Sequence, residues 1–295
     1  MFRSLRLKRE PEKKLPEYGS LSGERLAQDA AFPISIQQIN RLPENTKRRL
    51  YRALIPPALL TRFEIDPITW RGPDRREQVS LKAEPETGVM EIRARRSEAD
   101  EDDFLLIELA DNSFNSLDLG MLLLSDPDSP RFQTDVDEAG KPTQFGAARR
   151  NLVQEEQAMR AGLAPGQTRG SLGASQAVLQ ALDAFAMALG HRSYFLEPLT
   201  YASAWIFERR GLAYVRGHKQ MDTIHQEFQP GGRLHVALDG SSPFRQPDAW
   251  CSVRGRAWAI QDGILEAAGL RWDGLRMVKQ VGRAAGVNTF PDAQY

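Results

Sequence analysis

Cysteine is almost missing: Cys251 is the sole thiol in 295 residues, so no intramolecular disulfide can form. A bridge framework, the usual support of small secreted folds, is thereby excluded. A catalytic thiol needs a base nearby, and Cys251 stands in AWCSV without a flanking signature, so it reads as a small packed residue. Long apolar runs are missing too. No stretch approaches the roughly 18 residues that a membrane helix requires, and the basic start MFRSLRLKRE lacks the apolar segment of a secretory signal. Charge of one sign is not in excess, since 39 basic residues meet 39 acidic ones. That balance argues against a general nucleic-acid binder, whose affinity comes from displacing counterions from phosphates. The chain has neither a Gly-x-Ser-x-Gly elbow nor a Gly-x-x-x-x-Gly-Lys-Ser/Thr loop, so serine-hydrolase and P-loop chemistry lose their usual signals. By elimination the expectation is a cytoplasmic protein with no membrane span.

What is present is an ordinary globular balance, 41% apolar and 26% charged. Residues 1–32 are polar and broken by proline and glycine, and read as a flexible arm. From Pro33 the pattern becomes structured. ENTKRRLYRALIPPALLTRF predicts a short helix, a stop at Pro56 and Pro57, and a second helical piece. QVSLKAE and VMEIRARR alternate around Glu86-Thr87-Gly88 and predict a hairpin. FLLIELAD and LDLGMLLLSD are short, nearly continuous apolar runs, which read as strands buried on both faces. Four strands with tight links imply an antiparallel meander.

The segment from Pro127 to Gly146 reads as loop, and the spacing of Leu152, Ala158, Met159 and Leu163 predicts a helix closed by Pro165-Gly166. QTRGSLGAS then opens a helix whose apolar face carries Val178, Leu182, Phe185 and Leu189. SYFLEPLT reads as a strand, YASAWIFERRG as a short helix and LAYVRG as a strand. Further on, HKQMDTIHQEF reads as helical, RLHVAL as a possible strand, and LRMVKQVGRAAG as short helices with glycine breaks. The simplest division is an arm over 1–32, an α/β domain over 33–217, and a helical extension over 218–295 packed on that same domain.

A helix start leaves main-chain N–H groups unpaired and carries partial positive charge, and glycines just before it let an anion approach. QTRGSLGAS supplies Gly170 and Gly173 for access, Ser171 for a hydroxyl and Arg169 for charge. The order that follows resembles the second half of the GNAT (GCN5-related N-acetyltransferase) superfamily. There a Gln/Arg-x-x-Gly-x-Gly/Ala loop binds the pyrophosphate of coenzyme A, and a later helix ends in Tyr-Glu-Lys/Arg-x-Gly-Phe. Gln167, Arg169 and Gly170 fall on the loop here, and Phe207, Glu208, Arg209, Gly211 and Leu212 on the second signature. The resemblance spans about 78–217, its specific part 165–217. It departs from the family where Gly173 sits one position late, where 127–163 intervene between strand and loop, and where Phe207 replaces the usual tyrosine.

The resemblance implies a GNAT-like fold with a mixed central sheet flanked by helices. It implies an N-acyltransferase that takes acetyl-CoA or another acyl-CoA as co-substrate and passes the acyl group to a small-molecule or peptide amine. The cofactor loop would be Gln167, Thr168, Arg169, Gly170, Ser171, Leu172, Gly173 and Ala174. A phenyl ring cannot donate a proton, so Tyr201, or else Tyr214, would stand in for the lost phenol. Glu108, which interrupts an apolar strand, is the candidate base, with Asp118 second. A scaffold that binds ligand without catalysis, and an interaction module docking through the extension, fit the same residues. His218, Asp222 and His225 share one helical face, with His235 a further possible ligand, but their spacing matches no metal signature, and no metal is expected. Asp239, Arg245 and Trp250 mark a turn-rich loop that reads as connecting structure.

Overall fold

In the computed structural model, which describes residues 33–143 and 149–295, three short helices precede the first strand. The expected arm over 1–32 lies outside the described residues, as do 144–146 of the expected loop. Helix α1 (Ile36–Asn40) begins at a reciprocal cap between Ser35 and Gln38. Its first amides also donate to the carboxylate of Asp111, from Ile36 at 2.7 Å and from Gln37 at 2.9 Å. Helix α2 (Glu44–Tyr51) tightens into a 3-10 turn over Arg52–Leu54, and α3 (Pro57–Thr61) restarts with proline in its first turn, where no amide is lost.

The predicted meander is present. Strands β1 (Val79–Lys82), β2 (Val89–Ala94), β3 (Leu105–Asp111) and β4 (Leu117–Leu124) pair antiparallel in sequence order. Helix α4 (Leu152–Arg160), helix α5 (Ser175–Ala188), strand β5 (Ser193–Leu196), helix α6 (Tyr201–Arg209) and strand β6 (Ala213–Arg216) then follow in the expected succession. Beyond β6 come α7 (His218–Glu227), α8 (Arg233–Val236), α9 (Val253–Gln261) and β7 (Arg276–Gln280). The described residues form an α/β structure with one seven-stranded mixed sheet, in the order β1-β2-β3-β4-β5-β7-β6. Its one parallel contact joins β4 to β5.

Three readings of local pattern are corrected. RLHVAL forms α8 rather than a strand, because its inward residues are Leu234 and Leu238, four apart, while Val236 between them is exposed. LRMVKQ forms β7 rather than helix: Leu275, Met277 and Lys279 are buried at a period of two, and the strand inserts between β5 and β6. The expected helical extension thus returns one strand to the sheet, next to its outer strand β6. Finally, β4 is not buried on both faces; past Leu119 every residue to Leu124 is at least partly exposed.

One core lies where β2 to β5 and β7 turn Ile92, Ile107, Leu119, Tyr194 and Met277 toward α1–α3 and α5. A second fills the space among α6, α7, α8 and α9, around Met221, Ile224, Phe228 and Ala257. Among the described residues no helix is long and apolar enough to cross a membrane. Ile107 is enclosed at the centre of the first core, so Ile107→Ala should destabilise the fold by about 2–5 kcal/mol, read as a lower urea midpoint. Val236→Ala, at an exposed position, should stay within about 0.5 kcal/mol of wild type.

Candidate functional site

The parallel contact between β4 and β5 is only three residue pairs long, ending at Leu119 opposite Leu196. There β5 leaves for the turn that starts α6, while β4 continues to Leu124 with β3 as its sole strand partner. Among the described residues, the edge of Gly120–Leu124 that would face β5 therefore has no strand partner, over roughly 14 Å at strand rise. Met121, Leu122, Leu123 and Leu124 surround it with apolar side chains that the fold leaves partly exposed.

A bulge marks where the two strands part. Glu108 pairs with Met121 and Leu109 with Leu119, so Gly120 is the extra residue. The missing side chain leaves room for the Glu108 carboxylate: a Cβ on Gly120 would meet its Oε1. The carboxylate of Glu108, half-buried, has no hydrogen-bond or ion-pair partner among the described residues. Glu91, directly across on β2, is by contrast held by Arg93 at 2.8 Å and 2.9 Å. The second candidate base, Asp118, is engaged as well: Nη2 of Arg276 donates to both its oxygens at 2.9 Å, and Asn112 donates at 2.7 Å.

The far end of the open edge meets the glycine-rich loop, since the amide of Asp126, two residues past β4, donates to the Gly170 carbonyl at 2.7 Å. The loop divides into two halves. In the first half the fold uses the polar groups itself. Gln167 accepts from the Ala164 amide at 2.7 Å, and the Thr168 carbonyl accepts from Phe132 at 2.8 Å. Arg169 is tied to Asp102 at 2.7 Å and to the Ser129 carbonyl at 2.7 Å. Burial raises Asp102, yet Arg169 and Arg131 outweigh it and hold the carboxyl below its ordinary range. The Gly170 amide, expected to face an anion, donates to Ser129 Oγ at 2.8 Å, so the glycine serves close packing of that turn.

The second half is open. Leu172 is buried as an anchor, Ser171 and Gly173 are exposed, and Gly173 takes a left-handed φ of 69° with clear space around it. Ala174 occupies the cap position of α5 and offers no side-chain acceptor. The amides of Ser175, Gln176 and Ala177 have no acceptor among the described residues. Arg210, from the end of α6, lies across this turn, 3.1 Å from Ser175 Oγ and 3.4 Å from Gln176 Oε1. A cation beside the positive end of a helix is unfavourable by itself, and an anion shared between them relieves both. Within the loop, the open amides thus lie at Ser175–Ala177 beside Arg210, displaced along the chain from the expected centre at Gly170.

Neither tyrosine is placed to serve as a free acid. Tyr201 is buried in the second core, where its hydroxyl meets Arg256 at 3.4 Å, and burial pushes the phenol up. Tyr214 donates to Glu208 at 2.6 Å, and burial followed by that carboxylate raises it strongly. Phe207 packs against the first core.

His218, Asp222, His225 and His235 do not converge. His225 turns to Arg256 and His235 to Trp250, and no group of three or more His, Cys, Asp or Glu among the described residues could hold a metal ion. Arg245 of the turn-rich loop is bonded to Asp262, and Asp239 closes its own turn. A groove of about 630 Å³ lies elsewhere, around β1 at the sheet edge, lined by paired charges such as Arg48 with Glu77 and Arg95 with Asp103.

Pattern reading missed the open edge of β4 and the arginine at the start of α5. A glycine inside an apolar strand, as Gly120 is in LDLGMLLL, signals a bulge and could have located the edge. No family model matches this chain, and neither a curated protein nor a solved structure does. Gly120→Ala should cost no more than about 1 kcal/mol, because the flexible end of Glu108 can rotate away, and a crystal structure should find that carboxylate displaced. Gly211→Ala should cost about 2 kcal/mol or more: it sits at φ 84° and its Cβ would lie 2.9 Å from the Ala284 Cα. Urea unfolding measures both.

Proposed function

We propose that this chain is an acyl-CoA-dependent N-acyltransferase of GNAT type. One observation carries the reading: among the described residues the sheet holds an internal edge without a strand partner, Gly120–Leu124, that runs from the unpartnered Glu108 carboxylate toward the glycine-rich loop leading into an uncapped helix start. A pantetheine arm is an extended chain with two amides, and can bond to such an edge as an added strand does. At one end the diphosphate of coenzyme A meets the amides of Ser175, Gln176 and Ala177 and the Arg210 guanidinium. At the other, the thioester reaches the bulge beside Glu108. The mixed sheet with its single parallel contact also supports the likeness.

In this mechanism Glu108 takes the proton of the acceptor ammonium, and the amine nitrogen attacks the thioester carbonyl carbon directly. The carbon–sulfur bond breaks and the thiolate leaves. With Phe207 in place of tyrosine, and with Tyr201 and Tyr214 engaged elsewhere, none of these three side chains protonates it. A thiol with an ordinary value of about 8.5 is a competent leaving group as thiolate, and the second proton, lost from the nitrogen as the amide forms, passes to it through water. The missing phenol equally favours a second reading, a scaffold that binds acyl-CoA without turnover.

Isothermal titration separates these readings from a chain that binds no acyl-CoA. Acetyl-CoA and CoA should bind with micromolar dissociation constants. Gln176→Glu places a negative charge at the exposed start of α5 and should weaken binding about tenfold or more, while the helix dipole leaves stability unchanged or up to about 1 kcal/mol higher. Absence of binding, or unchanged affinity in that variant, contradicts the site. With an amine panel read as released thiol, Glu108→Gln should lower kcat/KM about 10²- to 10⁴-fold without altering CoA affinity. No turnover in the wild type with affinity intact selects the binding scaffold.

A further inference from the structure

Arg256 is fully buried in the second core, and among the described residues its hydrogen-bond and stacking partners are neutral groups. Its Nε donates to the Trp250 carbonyl at 2.6 Å, and Nη1 donates to Nδ1 of His225 at 3.1 Å and to the Tyr201 hydroxyl at 3.4 Å. The guanidinium stacks over Phe290 at 3.5 Å and faces Phe228 at 5.0 Å. Nη2 has no acceptor among the described residues. A buried charge without a carboxylate depends on such contacts, and losing one is costly.

Phe290 belongs to the C-terminal segment 285–294, which is held at three further points. The Ala285 amide donates to the Gly211 carbonyl at 3.1 Å. Thr289 donates to the buried Glu208 through its amide at 2.9 Å and its hydroxyl at 2.7 Å. Gln294 accepts from the Val253 amide at 2.8 Å, beside a short parallel bridge to Ser252. The segment therefore crosses from the end of α6 to the start of α9, with the Arg256–Phe290 stack at its middle.

Arginine has only donors to offer, so Nδ1 of His225 must be the acceptor in that bond and the neutral ring carries its proton on Nε2; the Gln229 amide, 3.2 Å away, accepts that proton when it turns its oxygen rather than its nitrogen to the ring. A second proton would have to go on Nδ1, directly against the guanidinium. The charged and titratable groups that face His225 come from several elements. On α7 there is Asp222, which His218 meets at 3.8 Å; from α9 comes Arg256, and from the C-terminal segment Asp292. Tyr201 of α6 and Cys251 ahead of α9 border Arg256, and Glu208 borders Tyr201. The two aspartates act on His225 without an ion pair to Arg256.

We propose that residues 285–294 are a pH-dependent strap, closed over the ends of α6 and α9 only while His225 is neutral and released when His225 binds a second proton. The proposal does not depend on the acyltransferase reading. Burial first, then Arg256, lowers the imidazole pKa, an effect the two aspartates only partly oppose. The closed strap thus has its full stability above the ordinary imidazole value of about 6.5. It loses that stability as pH falls from there toward the lowered value.

Hydrogen exchange of the full chain, followed by mass spectrometry at pH 7.5 and pH 5.0 and normalised to intrinsic rates, tests this directly. Peptides covering 285–294 should lose protection about tenfold or more at the lower pH, while β2 and β3 peptides keep theirs. His225→Asn, whose side-chain oxygen can accept from Arg256 without titrating, should keep the strap protected at both values. In the wild type, the midpoint of strap release should coincide with the titration of the His225 ring by NMR, which needs no variant. Equal protection at both pH values overturns the proposal. So does equal loss in His225→Asn, or a midpoint separate from that of His225, either of which would assign the release to a carboxylate such as Glu208 or Asp292.

Discussion

Main-chain polar groups in a sheet must be paired or wetted, and the departure of β5 from β4 after Leu196 leaves five residues of β4 without a partner on one side among the described residues, away from either outer edge of the sheet. The surrounding features follow from that departure. The bulge at Gly120 ends the parallel register and leaves Glu108 beside the gap. The polar turn past β4 joins the glycine-rich loop, and α5 starts with its amides uncapped at the gap's far end. A strand edge in such a place invites an extended ligand for the same reason that exposed edges invite aggregation.

The second core gives the departing strand somewhere to go. After β5 the chain enters α6, which packs on α9, and the long excursion through α7, α8 and α9 returns as β7 beside β5. Arg256 sits in the middle of that excursion. Its burial among aromatic rings and neutral acceptors ties α7, α9 and the C-terminal segment into one unit. The same unit holds Glu208 and Gly211, which end α6 and so place Arg210 over the start of α5.

Much of this fold was legible where a single physical rule decides. Alternation around Glu86-Thr87-Gly88 predicts the first hairpin, and the spacing of Val178, Leu182, Phe185 and Leu189 predicts α5. Legibility failed where the deciding partner is distant. RLHVAL contains both a period of two and a pair of leucines four apart, and only burial against the second core selects the helix. LRMVKQ has strand alternation, but β5 and β6 as partners lie far away in sequence. At the candidate site, the position of Glu108 on a strand was readable because charge interrupts an apolar run. The roles of Gly170 and Arg169 were not, since Ser129 and Asp102, which engage them, are 41 and 67 residues away. The surroundings of Tyr201 were hidden for the same reason: the core that buries it is built largely by later residues.

The central claim is that the inner edge of β4 receives an extended acyl carrier, and amide NMR of the labelled full chain with and without CoA tests it most directly. The account predicts that amides within Gly120–Leu124 and Ser175–Ala177 shift together, saturate at one ligand concentration, and exchange more slowly in the complex. Saturation with those two groups of amides unmoved, or shifts confined to the groove beside β1, would contradict it.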